Sequence, residues 1–133
     1  INGHPPGGVA ILWNKHLGEC VTPLDVKCDW AVALQIKCGD KQFIVVNVYL
    51  PYQNMDNEDK YLECLGSIKS MIDEMDTTSF VVMGDWNADI SELRSSIFAR
   101  HMVDFCDEHN NTLSSRDMLP VSSYLFMAGP RCL

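Results

Sequence analysis

The stretch Phe80-Val81-Val82-Met83-Gly84-Asp85-Trp86-Asn87 decides how this chain is read. Four apolar residues in a row, two of them β-branched, make a short buried strand. The Gly-Asp-Trp-Asn that follows is a loop at the carboxyl end of that strand. A carboxylate and an amide two residues apart are thereby held on rigid backbone. Asp85 can bind a hard cation or orient water, and Asn87 can donate to a phosphate oxygen while accepting elsewhere. Gly-Asp-x-Asn alone is commonly just a turn, and it is the order and spacing of the segments around it that give it meaning.

Working outward, residues 42–50 (Gln-Phe-Ile-Val-Val-Asn-Val-Tyr-Leu) are nearly all apolar and read as a central strand ended by Pro51. Within it Asn47 and Tyr49 are two apart and share one face of a sheet, and a Tyr hydroxyl at a strand end can reach a phosphate. A lone Tyr in that place is otherwise a core residue with a wet hydroxyl. Residues 30–38 alternate, with Trp30, Val32, Leu34, Ile36 and Cys38 pointing one way and Gln35 and Lys37 the other. Gly39-Asp40 then supplies the tight turn of a hairpin. Earlier still, Gly7-Gly8 leads into a strand-like run, Val9-Ala10-Ile11-Leu12-Trp13, and residues 14–28 read as irregular.

Between the two buried strands, Tyr61, Leu65, Ile68, Ile72 and Met75 recur on one helical face. A helix over about 58–75 is expected, capped by Asp56 or Asn57 and broken at Thr77-Thr78. A second helix over about 95–109 places Phe98, Met102, Phe105 and Cys106 inward and ends at His109-Asn110-Asn111. Short strands are expected at 112–114 and 122–126. The order β, β-hairpin, α, β, α is that of a mixed α/β domain spanning 1–133, without repeat, linker or internal boundary.

Composition bounds the function. In 133 residues, 10 Lys+Arg stand against 18 Asp+Glu, a net charge of −8, with 47% hydrophobic and 21% charged residues. This is an ordinary globular balance for one domain. The acidic excess argues against passive adhesion to nucleic-acid backbones, which needs Lys and Arg to displace counterions. It leaves open an enzyme that meets phosphate through a divalent cation, where carboxylates are required. The run 9–13 is the longest strictly apolar one, far short of the ~18 residues of a membrane helix, so no membrane partner is expected. The start has no signal-peptide pattern, and a first residue of Ile rather than Met suggests a chain that begins inside a longer reading frame. Six cysteines at 20, 28, 38, 64, 106 and 132 include no C-x-x-C pair. The even count admits disulfides, but Cys64 and Cys106 fall inside patterned helices, so reduced thiols are favoured, as in a nuclear or cytoplasmic protein.

Four stretches in this order, GGVAILWNK at 7–15, FIVVNVYLP at 43–51, FVVMGDWNADI at 80–90 and DFCDEHNNTLSS at 104–115, resemble the endonuclease/exonuclease/phosphatase superfamily. This is the DNase I-like fold, and the likeness is to endonuclease domains of LINE-type non-LTR retrotransposons in particular. The resemblance implies an α/β sandwich of two mixed, largely antiparallel sheets with outer helices, of which this chain is a part. It implies Mg²⁺-dependent hydrolysis of a phosphodiester, with DNA as substrate. Tyr49 resembles the family's Tyr near the scissile phosphate. Asp85 resembles the Asp that orients or deprotonates the attacking water, and is a weak metal ligand without its partner Glu. Asn87 resembles the Asn that holds a phosphate oxygen.

The chain departs from the family in ways that bear on activity. The family's early Asn and metal-binding Glu would lie before residue 1. Its closing Ser-Asp-His or Asp-His motif would follow a strand like 122–126, where this chain reads Ser123-Tyr124-Leu125-Phe126-Met127-Ala128-Gly129-Pro130-Arg131. Tyr52 follows Pro51 where related members often have Asn. His4, His16, His101 and His109 occupy no family position and read as solvated or helix-end groups. The resemblance therefore implies a nuclease impaired by truncation. A different class of reading is a non-catalytic retroelement-derived remnant, acting at most as an interaction module. A phosphatase acting on lipid or small phosphates is a third, which the GGVAILWNK and GDWNAD stretches disfavour. Trp86 could stack on a base or cover the sheet edge, and the sequence leaves both open, as it does the oligomeric state.

Overall fold

The computed structural model describes residues 8–75, 79–89, 94–109, 112–113 and 124–128. Six strands form one sheet: β1 (Val21–Leu24), β2 (Ala31–Cys38), β3 (Lys41–Tyr49), β4 (Phe80–Asp85), β5 (Thr112–Leu113) and β6 (Tyr124–Ala128). Their order is β1-β2-β3-β4-β6-β5. The β3–β4 pair is parallel and the other pairings are antiparallel. The hairpin of β2 and β3 turns on Gly39-Asp40, with Gly39 at φ 61°, the left-handed backbone that a short hairpin needs. A parallel neighbour requires a crossover. Helix α1 (Glu58–Glu74) supplies it between β3 and β4, and α2 (Ile97–Glu108) follows β4.

Both helices lie on one face of the sheet. Tyr61, Cys64, Leu65, Ile68, Met71 and Ile72 of α1 and Phe98, Met102, Phe105 and Cys106 of α2 share one buried cluster. Ala31 and Ala33 of β2, Ile44, Val46 and Val48 of β3, and Phe80 and Val82 of β4 join it, with Val26, Leu50 and Trp86 from the loops. Each fully buried large side chain contributes on the order of 1.5–3 kcal/mol, and this cluster is the main source of stability. Ser96 caps α2 by accepting from the Ala99 N–H at 3.1 Å, while Gln53, from the loop after β3, accepts from the Ser96 hydroxyl at 2.6 Å. The hairpin, the central place of β3, the adjacency of β3 and β4 and both helices agree with the sequence reading. The break at Thr77-Thr78 lies outside the described residues.

Two expectations are corrected. Residues 9–13 form no strand: Leu12 is 95% exposed and no backbone ladder partner meets the segment among the described residues. Its tie to the sheet is a side chain, the Asn47 amide donating to the Ala10 carbonyl at 2.9 Å. Residues 14–28 are not wholly irregular, because β1 lies within them and pairs with β2 from Val21↔Ile36 to Leu24↔Ala33. The helices lie on the face of β2 opposite Val32, Leu34 and Ile36. They cover Ala31, Ala33 and Gln35, small or polar residues that admit close helix approach, whereas Leu34 and Val45 are buried on the opposite face.

Candidate active site

The carboxyl ends of β3 and β4 meet because the two strands run parallel. The register is Val48↔Gly84 and Tyr49↔Asp85, so Tyr49 and Asp85 stand side by side on the face away from the helices. The ladder continues one step further, with the Leu50 N–H donating to the Asp85 carbonyl at 2.8 Å. On the other side of β3, the Tyr49 N–H donates to the Trp30 carbonyl at 2.9 Å. Trp30, just before β2, thus forms a row with Tyr49 and Asp85 across the ends of β3 and β4. The Trp30 and Tyr49 rings are tilted, with centroids 6.4 Å apart. Tyr49 is 41% exposed, and Asp85 and Asn87 are half-buried.

Gly84 makes this approach possible. Its φ is 119°, and a Cβ there would sit 2.1 Å from the Val48 carbonyl oxygen and 2.6 Å from Asn47 Oδ1. No side chain other than hydrogen fits between β4 and β3 at this level. Beyond it the chain bends sharply. Asn87 adopts φ 46°, a left-handed conformation that Asn tolerates better than most residues. Its backbone N–H donates to Asp85 Oδ1 at 3.0 Å, and its side-chain Nδ2 donates to the Leu50 carbonyl at 2.6 Å. Asp85 is therefore oriented by the residue two places on. Asn87 is anchored across to the end of β3 through one amide N–H, and among the described residues the other amide N–H and the side-chain carbonyl oxygen take no part in that anchor and can face a ligand.

Trp86, between them, faces the opposite way. It is fully buried, packs against Phe105 at 5.9 Å between ring centroids, and belongs to the core cluster. Base stacking by Trp86 is thereby excluded. Tyr61 of α1 fixes the loop from below, donating its hydroxyl to the Trp86 carbonyl at 3.0 Å, and burial pushes its phenol above the ordinary range. The sequence marked Tyr61 only as an apolar-face residue. Its polar end, like the demand for glycine at 84, becomes visible only with the loop folded over the helix.

The histidines stand apart from this row. His101 of α2 contacts Glu58 Oε1 at the start of α1 through Nε2, at 2.9 Å. His109 caps α2 with Nδ1 against the Phe105 carbonyl at 2.8 Å. His16 lies in a short turn on the exposed Asn14–Leu17 segment, and His4 lies outside the described residues. Positions 129–131, which follow the last strand, are likewise outside them.

As a cation site the row is sparse. Mg²⁺ takes near-octahedral oxygen ligands, commonly one or two carboxylates with the substrate's phosphate and water. Asp85 brings one carboxylate, with one oxygen already accepting from Asn87. No cluster of three His, Cys, Asp or Glu residues able to hold a metal occurs among the described residues. These residues do not make a resident Mg²⁺ site by themselves. No helix among them is long and apolar enough to cross a membrane.

No family model matches the chain, and no curated protein matches it. A solved structure does: the endonuclease domain of TRAS1, a telomere-specific non-LTR retrotransposon, superposes with a TM-score of 0.66 at 11% identity over 83% of this chain. The chain spans 56% of the length of that domain. The likeness is one of fold, and it coincides with the resemblance carried by the strand-end motifs. The mixed sheet with two helices on one face is a partial DNase I-like α/β architecture, similar to part of a retrotransposon endonuclease domain.

Proposed function

We propose that this chain carries the Tyr49–Asp85–Asn87 part of a phosphodiesterase site that acts on DNA with Mg²⁺, and that the 133 residues alone cut DNA poorly. The observation that supports it is the pairing of Tyr49 with Asp85 across parallel strands, with Asn87 hydrogen-bonded to Asp85 and to the end of β3. In this reading the Tyr49 hydroxyl donates to a phosphate oxygen. Asp85 accepts from, and so orients, the attacking water. The remaining N–H of Asn87 donates to a second phosphate oxygen. Such donors, fixed before the reaction, stabilise charge that develops on the phosphoryl group. Bound Mg²⁺ would add charge neutralisation at the same phosphate.

Poor cutting follows from Asp85 being the one carboxylate in the row of Trp30, Tyr49 and Asp85. A single misplaced or missing catalytic group costs about 10²-fold or more. The same observation favours a second reading, a non-catalytic module of retroelement origin. Plasmid nicking in Mg²⁺ separates them, comparing the chain with Asp85→Ala. Feeble nicking that Asp85→Ala removes supports the first reading, and nicking at background for both supports the second. Robust nicking abolished by the substitution would show a working nuclease and overturn the impairment.

A further inference from the structure

Beside the Trp30 end of the strand row, the loop from β1 to β2 runs along α1 and leaves an open groove of about 740 Å³. Two cysteines line it. Cys28 is half-buried in the loop and Cys64 lies on the buried face of α1. Their Sγ atoms are 2.7 Å apart, inside the sum of two sulfur radii. A disulfide is about 2.05 Å long, so only a small movement of the loop separates the pair from a bond. The Trp30 N–H points at Cys28 Sγ from 3.4 Å, a donor that favours sulfur in its anionic form. Cys28 is the member a reagent in the groove reaches first, and Cys64 is the one placed behind it.

We propose that Cys28 and Cys64 form a thiol–disulfide exchange site, with Cys28 attacking a small-molecule disulfide and Cys64 resolving the product. In the first step the Cys28 thiolate attacks one sulfur of a reagent such as oxidised glutathione. The reagent's S–S bond breaks, a mixed disulfide forms on Cys28, and one glutathione thiolate leaves and takes a proton. In the second step Cys64, giving up its proton to solvent, attacks Cys28 Sγ and forms the Cys28–Cys64 bond. The second glutathione leaves as thiolate and is protonated. The protein loses two protons and two electrons, and the reagent gains both. The bond fastens the 25–30 loop to α1. Trp30, two residues from Cys28, carries that constraint to the strand end where its carbonyl accepts from Tyr49.

A competing pair exists. Cys38 lies beside Cys20 across β1 and β2, where its hydrogen bond raises the Cys20 thiol. The test therefore identifies partners instead of counting thiols. The full chain is equilibrated with reduced and oxidised glutathione over a range of ratios, quenched in acid, alkylated and mapped by peptide mass. The expected result is a Cys28–Cys64 cross-linked peptide that forms and reverses with the ratio. Cys64→Ser should instead accumulate glutathione on Cys28, about tenfold above the parent chain, because the resolving thiol is gone. Free Cys28 and Cys64 at every ratio in the parent chain, or Cys28 linked to any other cysteine, would overturn the proposal. The parent-chain map decides the matter even if the Ser variant fails to fold.

Discussion

The Asn87 side chain donates to the Leu50 carbonyl at 2.6 Å, joining the loop after β4 to the end of β3. The same residue holds Asp85 through its backbone N–H and occupies a left-handed φ of 46°. One residue thus fixes both the shape of the loop, through its side-chain amide, and the aim of the carboxylate, through its backbone N–H. The two contributions separate by substitution. Asn87→Gly removes the side-chain bond but suits the backbone, whereas Asn87→Ala removes the bond and adds left-handed strain. A lost hydrogen bond to a part-buried carbonyl costs on the order of 1–2 kcal/mol, and a Cβ at positive φ about 1 kcal/mol more. Urea unfolding should rank the parent chain above Asn87→Gly and Asn87→Gly above Asn87→Ala. Equal midpoints for the two variants would mean the left-handed backbone is not retained in solution.

Gly84→Ala should be the more severe change. The added methyl would meet the Val48 backbone at 2.1 Å, and the φ of 119° is a conformation side chains rarely adopt. Backbone cannot yield as a flexible side chain can, so relief requires β4 to move away from β3. A loss of at least about 3 kcal/mol is expected, enough to lower the yield of folded protein markedly. Circular dichroism with thermal melting measures it, and a melting temperature within a degree or two of the parent would refute the close approach.

How much of this was legible beforehand depended on whether a local signal existed. β3, β4 and both helices carry unbroken apolar runs or a clear helical stripe, and those patterns survive any tertiary context. Tyr49, Asp85 and Asn87 were readable as strand-end residues for the same reason. β1 was hidden by Pro23, which argues against a strand unless the strand is at the sheet edge, as β1 is. The run 9–13 misled because apolar residues alone do not make a strand without a neighbour to complete its hydrogen bonds. The side of the sheet chosen by the helices was also illegible. Ala31 and Ala33 are buried by proximity to α1 and α2, and small size carries no periodic signal that outweighs Val32, Leu34 and Ile36.

Trp86 tests the core directly. It is fully buried among Phe105 and the α1 side chains, so truncation leaves a large cavity. Trp86→Ala should cost about 3–5 kcal/mol and Trp86→Phe distinctly less. Tyr61→Phe should cost only about 1 kcal/mol, the worth of its hydrogen bond to the Trp86 carbonyl. A Trp86→Ala variant as stable as the parent would mean that the side chain is not packed inside.

The groove thiol gives a pH dependence with a definite sign. The hydrogen bond from Cys64 lowers the Cys28 thiol to about 7, assisted by the Trp30 and Ala31 N–H groups and opposed by burial and Asp29. Asp25, Lys27, Lys60, Glu63 and Glu74 also line the groove and set its remaining charge. Because the shift is downward, Cys28 is largely thiolate above pH 7 and loses reactivity as the pH falls through about 7. Iodoacetamide modification of Cys28 should follow that profile, where an ordinary thiol would titrate at about 8.5. Cys64→Ala removes the donor and should move the profile upward by about one unit or more. An unchanged profile in that variant would locate the cause elsewhere.

The cation is the last point open to direct measurement. Asp85 supplies one carboxylate to the strand-end row, and one of its oxygens accepts from Asn87, so Mg²⁺ finds few protein ligands there without a phosphate. Ligand binding stabilises a fold by RT ln(1 + [L]/Kd), which is about 0.4 kcal/mol when the ligand equals its dissociation constant. With a Kd on the order of 10 mM or weaker, a few millimolar Mg²⁺ should leave the melting temperature of the chain almost unchanged. Asp85→Ala should melt alike with and without Mg²⁺. A short DNA duplex changes the balance, since its phosphates complete the ligand set, and any stabilisation by Mg²⁺ should then appear only with DNA and depend on Asp85. A melting shift that saturates at micromolar Mg²⁺ without DNA and disappears in Asp85→Ala would reveal a built metal site. The impairment proposed for this chain would then have to be sought in proton handling instead of metal binding.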